Sequence, residues 1–313
     1  METPDNAPAK ALDPASSDMA TPEGMTLSTT PTSLLSTTEI AEVAAWIADR
    51  NADASAHVGY LSTRADEVSA EIANMEKGSV IAHCVRHADR VGLMIAEWDP
   101  VSTRAWLHGP WTADDAIADG LFAALAPHIP ARNTEHEVFC DERNATVTGF
   151  ARRHGMVLAG AFDTRSIGRE VETPEPENVI LPAEPHHLAS FARIHRLTHP
   201  EAHRSAEQIV ADDVPLLVAL AGETVLGYGT RVVIPGSSTG LIEHIGVDPD
   251  LPDERRSQVR DDLLASSVRL LFANHDISHV EIVARPERAA EFERLGFRLL
   301  RSMRAYRSVV ESG

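Results

Sequence analysis

The chain has 313 residues, enough for two ordinary domains, each with its own core. Its 28 Lys and Arg face 47 Asp and Glu, a formal net charge of -19, so the surface repels polyanions and excludes DNA and RNA as expected partners. Hydrophobic residues make up 43% and charged residues 24%, globular proportions. No apolar run approaches the roughly 20 residues of a membrane span, so a soluble, cytoplasmic protein without a membrane partner is expected.

The first 36 residues carry Pro4, Pro8, Pro14, Pro22 and Pro31 among Ser, Thr and Ala and read as a disordered tail. They match neither a secretory signal nor a transit peptide. Beyond them, Glu39 to Asp49 and Arg64 to Met75 carry helical stripes. Strands are expected at 79–86 and 91–98, joined by the turn 87–90, and at 103–108. Thr112 is placed to cap a helix over Ala113 to His128; a strand at 135–140, a helix from Asn144 to His154 and an extended run from Met156 to Ile167 follow. Cys84 and Cys140 lie in apolar, strand-like runs and read as buried, inert thiols. Trp106 and Trp111 are expected at an interface between domains.

Residues 169–177, acidic and proline-bearing, read as a linker between a domain at 37–168 and another at 178–313. The second half repeats the plan. A short strand at Ile180 and Leu181 leads to helices at Pro185 to Thr198 and Ala206 to Asp212. Strands follow at 215–220, 224–233 and 241–247, a long helix from Arg255 to Ala273, a strand at 279–284, a short helix around Arg288 to Leu295 and a last strand from Phe297 to Arg307. FCDERNATVTGFARRHGM (139–156) lies over IVARPERAAEFERLGF (282–297), which points to an internal duplication.

IEHIGVDPD at 242–250, the long helix behind it and the ending AAEFERLGFRLLRSMRAYR resemble the GNAT superfamily of N-acetyltransferases. The tandem arrangement is similar in architecture to mycothiol synthase. The resemblance implies a mixed α/β (α+β) protein of two GNAT-like domains, each a mostly antiparallel central sheet flanked by helices. In that superfamily a strand ending in Val-x-Pro leads to an Arg-x-x-Gly-x-Gly or Ala turn that holds the CoA pyrophosphate. Val247, Asp248 and Pro249 match the strand end, and the turn aligns on Arg255, Arg256, Ser257, Gln258, Val259 and Arg260, with the leading Arg kept and both glycines lost. A helix N-terminus with three guanidiniums would still attract an anion. The resemblance thus implies acetyl-CoA as co-substrate, bound by Ile245, Gly246, Val247 and these six residues.

The equivalent helix of the first half begins Thr112-Ala113-Asp114-Asp115, whose carboxylates oppose a pyrophosphate, so no CoA is expected there. The superfamily's Asn-x-x-Ala-x-x-Phe-Tyr-x-x-x-Gly-Phe pattern matches Asn144, Val147, Phe150, Gly155 and Met156, with Ala151 where Tyr is usual. In the second half Arg285 takes the Asn position and Phe292 that of the Tyr, which in the family protonates the departing thiolate.

Glu243 stands on the strand where the resemblance places a base. Strand alternation sets it on one face with Leu241 and Ile245, with His244 facing the other way. His195, His199 and His203 fall four residues apart. Pro200 interrupts the helix that would stack them and no HExxH pattern is present, so a metal is not expected; the resemblance places them beside the acceptor. Arg301, Arg304 and Arg307 are read as facing solvent or the linker. The resulting expectation is an acyl-CoA-dependent N-acyltransferase that modifies an amine of a small molecule or peptide, with its site in the second half. The alternative is a silent GNAT-fold binding or scaffold protein with decayed CoA sites.

Overall fold

The computed structural model describes residues 19–20, 25–75, 78–98, 103–200, 202, 204–233 and 237–309. After a two-residue strand β1 (Met19–Ala20), the first half runs β2 (Met25–Pro31), α1 (Thr37–Asn51), α2 (Ala65–Ala73), β3 (Val80–Arg86), β4 (Asp89–Trp98), β5 (Arg104–Trp111), α3 (Asp115–Leu125), β6 (Glu135–Asp141), α4 (Ala145–Arg153) and β7 (Val157–Gly168). The second half repeats the order as β8 (Val179–Pro182), α5 (Leu188–Thr198), α6 (Ala206–Ala211), β9 (Leu216–Ala221), β10 (Thr224–Val233), β11 (Thr239–Val247), α7 (Asp253–Phe272), β12 (His279–Ala284), α8 (Ala289–Arg294) and β13 (Arg298–Val309).

Local chemistry explains most boundaries. Ser36 and Glu39 form a reciprocal capping box at α1, and Asp114, not Thr112, caps α3 by accepting from the amides of Ala116 and Ile117. His87 and Ala88 adopt φ of 51° and 73°, turning β3 into β4 with two residues instead of four. Gly155 and Gly296, at φ of 67° and 90°, follow α4 and α8 at matching places. Behind each, an amide bonds five residues back, Met156 to Ala151 and Phe297 to Phe292. The two halves therefore end their last helix in the same way.

Among the described residues thirteen strands form one sheet in the order β1-β2-β3-β4-β5-β6-β13-β7-β12-β11-β10-β9-β8. Most pairs are antiparallel; β5 with β6 and β11 with β12 are parallel. The final strand of each half is exchanged: β13 pairs with β6, and β7 with β12, while β7 and β13 pair with each other at the centre. The helices α7 and α8 cover one face of the second half through Val259, Leu263, Leu264, Val268, Leu271 and Phe292. On the other face α5 and α6 bury Phe191, Ile194 and Ile209 against Val218 and Tyr228.

Several expectations are corrected here. Residues 25–36 are not a disordered tail, because β2 pairs along its length with β3 and buries Leu27; residues 1–18 and 21–24 lie outside the described residues. Trp111 belongs to the core of the first half, its indole donating to Asn51 Oδ1 at 2.9 Å, and the halves meet through exchanged strands instead. Arg304 and Arg307 reach Glu142 at 2.6 Å and Glu137 at 2.8 Å, so they tie the last strand to acids of the first half. Cys84 and Cys140 are buried free thiols, and burial pushes Cys140 up to about 12.

Candidate active site

Parallel strands β11 and β12 pair from Thr239↔His279 to Ile242↔Ile282 and then part. Past that point β12 stays with β7 through Val283 and Ala284, and β11 stays with β10. Opposite Thr230 and Arg231 the register jumps from His244 to Ile242, so Glu243 is the extra residue of a bulge. Asp248 donates its amide to Leu226 on β10. By alternation the backbone groups of Ile245 and Val247 then face away from β10, into the parting, and no backbone bond outside the ladders engages them among the described residues.

The first half has the same parting between β5 and β6, where parallel pairing stops at Leu107↔Val138. There the chain fills it with itself. Val58 bridges Cys140, Gly59 donates to the Phe139 carbonyl at 2.7 Å, and Asp141 donates to the His57 carbonyl at 3.1 Å. Gly59 is required for this close approach, since a Cβ would stand 2.1 Å from the Phe139 ring. Asn51 anchors the segment, accepting from the Val58 amide at 3.0 Å and donating to the Leu61 carbonyl at 2.9 Å.

The bulge changes which way the second-half side chains point. Ile242 and Ile245 both join the core under α7, whereas Glu243 and His244 both turn to the α5 side, correcting the expectation that they face opposite ways. Arg204 Nη1 lies 3.3 and 3.4 Å from the two Glu243 oxygens. Burial raises the Glu243 carboxyl above the ordinary range, Arg204 opposes the rise and Asp212 adds to it.

Beside Glu243 stands a polar cluster that the sequence only half disclosed. His195 and His244 are buried and His199 half-buried, with ring centroids 5.1 to 5.6 Å apart. His203 lies outside the described residues. His195 Nε2 donates to the Arg204 carbonyl at 3.0 Å, so its Nδ1 accepts from the Tyr228 hydroxyl at 2.6 Å. Thr198 donates to the Ile194 carbonyl at 2.8 Å. With both hydroxyl protons spent, the His199 Nδ1 that lies 2.8 Å from Thr198 and 3.1 Å from Tyr228 carries the proton, leaving its Nε2 an acceptor with no partner among the described residues. Burial, then the charges of His195 and Arg288, pushes His199 down to about 4, and the ring is neutral at pH 7. Among the described residues no group of three His, Cys, Asp or Glu is placed to hold a metal.

The residues aligned with the glycine turn do not form a turn. Helix α7 starts at Asp253, two residues before the expected start, and the Arg256 amide already bonds the Pro252 carbonyl at 2.9 Å. The amides from Arg256 to Arg260 therefore belong to the helix, including that of Ser257. The first turn also carries Asp253 and Glu254. Arg255 donates to Asn178 at 2.5 Å, Arg256 to Asp253 and the Pro249 carbonyl, Gln258 to Asp262 at 3.0 Å, and Arg260 to Glu291 at 3.2 Å. Val259 is fully buried. Gly246 packs on Tyr228, where a Cβ would come within 2.2 Å of the ring.

Sequence reasoning missed Tyr228, Arg204 and Arg288. Tyr228 and Arg204 lie on elements read only as core strand or loop. Arg288 stands in the sequence only as the start of a short helix, with no motif to mark it.

No protein-family model matches the sequence, and no curated protein matches it significantly. Solved structures do. A GCN5-related N-acetyltransferase from Sphaerobacter thermophilus superposes with a TM-score of 0.65 at 10% identity, over 90% of this chain and 95% of that one. A tandem GNAT protein from the clavulanic acid biosynthesis pathway gives 0.64 at 12% identity, over 92% and 99%. A GCN5-related N-acetyltransferase from Kribbella flavida gives 0.53 at 11% identity, over 70% and 87%. At these identities the likeness establishes the fold, and the chain is a tandem GNAT-fold protein.

Proposed function

We propose that the chain is an N-acyltransferase that moves an acyl group, acetyl by default, from a CoA thioester to an amine of a small molecule or peptide, at the parting of β11 and β12. The observation that carries this reading is the contrast between the halves: the first fills its parting with His57–Tyr60, and in the second the backbone of Ile245 and Val247 faces a parting that no described residue bridges. An unpaired strand edge fits the amide-bearing pantetheine arm of CoA, which can bond to it as a further strand would. Acetyl-CoA when bound supplies the acyl carbon and a thiolate leaving group.

The chain's own residues supply proton transfer and orientation. Glu243, held by Arg204 and raised by burial, takes the proton of the attacking amine. Tyr228, Thr198 and His195 fix the tautomer of His199, whose Nε2 accepts a hydrogen bond from the acceptor amine. No tyrosine acid operates at position 292, so the thiolate leaves unprotonated.

The test is thiol release from acetyl-CoA against an amine panel. Turnover should rise with pH as Glu243 and the amine both lose protons, and because the folded carboxyl is raised, the acid limb should lie above the ordinary carboxylate range. Glu243→Gln should lower turnover by roughly 10²- to 10⁴-fold with acetyl-CoA affinity unchanged. Undiminished turnover in that variant would remove Glu243 as the base. Stoichiometric CoA binding without thiol release from any amine would favour the silent binding protein.

A further inference from the structure

Arg255 is exposed and Arg256 half-buried, but both already hold partners on this chain, Asn178 for the first and Asp253 with the Pro249 carbonyl for the second, and the first turn carries Asp253 and Glu254, which oppose an incoming anion. A different cation stands at the parting. Arg288 ends the short turn Pro286–Arg288 that leads from β12 into α8, and its side chain is about 29% exposed. Its Nε donates to Glu291 at 3.0 Å, while its Nη2 is buried and has no hydrogen-bond partner among the described residues. The guanidinium stacks over Phe292 at 5.2 Å, which fixes its plane.

The surrounding charges do not balance. Glu291 is shared between Arg288 and Arg260, and Asp261 is bonded by Arg294 at 3.0 Å. Within this group three guanidiniums meet two carboxylates, so Arg288 has to share Glu291 with Arg260. Burial and the neighbouring Arg260 both press Arg288 towards losing its proton, and its field is felt at His199 on the opposite side of the sheet. A partly desolvated guanidinium whose Nη2 has no partner among the described residues, just past the strand that borders the parting, is a site for a phosphate oxygen.

Resting on the acyltransferase reading above, we infer that the donor's diphosphate is held by Arg288, with Arg260 behind it, and not by the N-terminal turn of α7. The lost glycines then matter less than they would in a phosphate-binding turn, because the anion contact has moved across the parting to the β12 side.

The test compares two probes on the full chain by calorimetry, acetyl-CoA and S-acetylpantetheine, which keeps the thioester arm and lacks the diphosphate and nucleotide. Arg288→Gln should weaken acetyl-CoA binding at least tenfold and leave S-acetylpantetheine unchanged. The wild-type affinity for acetyl-CoA should fall with added salt more steeply than that of the variant. The double variant Arg255→Gln, Arg256→Gln should bind both probes as wild type does. Arg288→Gln binding acetyl-CoA normally would overturn the inference, as would equal losses for both probes or a loss confined to the Arg255 and Arg256 variant. If wild type binds neither probe, the acyltransferase reading fails as well, so the two failures are separable.

Discussion

Position 292 is where a hydroxyl would be sought, and the fold gives it no room. Phe292 is fully buried, packed edge-on against Phe297 at 5.8 Å and lodged in the core under α7. The motif spacing suggests that restoring a tyrosine would restore an acid. The packing instead predicts that Phe292→Tyr buries an unpartnered hydroxyl and destabilises the chain by about 1–3 kcal/mol, with no gain in turnover. Denaturant unfolding and the thiol assay measure the two parts, and a faster enzyme of unchanged stability would contradict the packing argument. The same limit applied at Glu243. Its candidacy follows from position on a strand, but its facing does not, because simple alternation cannot foresee a bulge. Nor does a spacing of four reveal that His195 is buried with both ring nitrogens engaged.

Element order was legible because each half spends its apolar residues with clear periods, 3.6 along the helices and alternating in the exposed-face strands. Strand partners were not, since pairing is a long-range choice that local pattern does not encode. The linker suggests a cut near residue 177, yet β12 takes β7 as its neighbour and β13 takes both β6 and β7. A fragment 178–313 would leave one edge of β12 and both edges of β13 unpaired, and would lose the acids that Arg304 and Arg307 bond. It should therefore be unfolded or aggregated alone by circular dichroism and gel filtration, and should recover structure on mixing with 19–177. A monomeric, cooperatively folded 178–313 would show that the exchange is dispensable. The plug at His57–Tyr60 was equally silent in sequence. Gly59 is its only local sign, and a glycine in a loop has many uses.

For the molecule as a whole, the repeated element order places two partings in one sheet, and the halves differ in what occupies them. One is closed by its own chain, anchored through Asn51; the other is lined by a strand edge, a bulged carboxylate and a histidine with an acceptor nitrogen. On this account the first half is a structural partner that supplies the neighbours of β12 and β13, and the chemistry belongs to the second. The most direct measurement is hydrogen exchange of the full chain with and without saturating acetyl-CoA. Amides of 243–248 should slow markedly on adding the donor, because Ile245 and Val247 would then be bonded across the parting, while 57–60 and 139–141 should exchange at their unliganded rates. Protection at 57–60 and 139–141 with none at 243–248, or protection at neither, would contradict it.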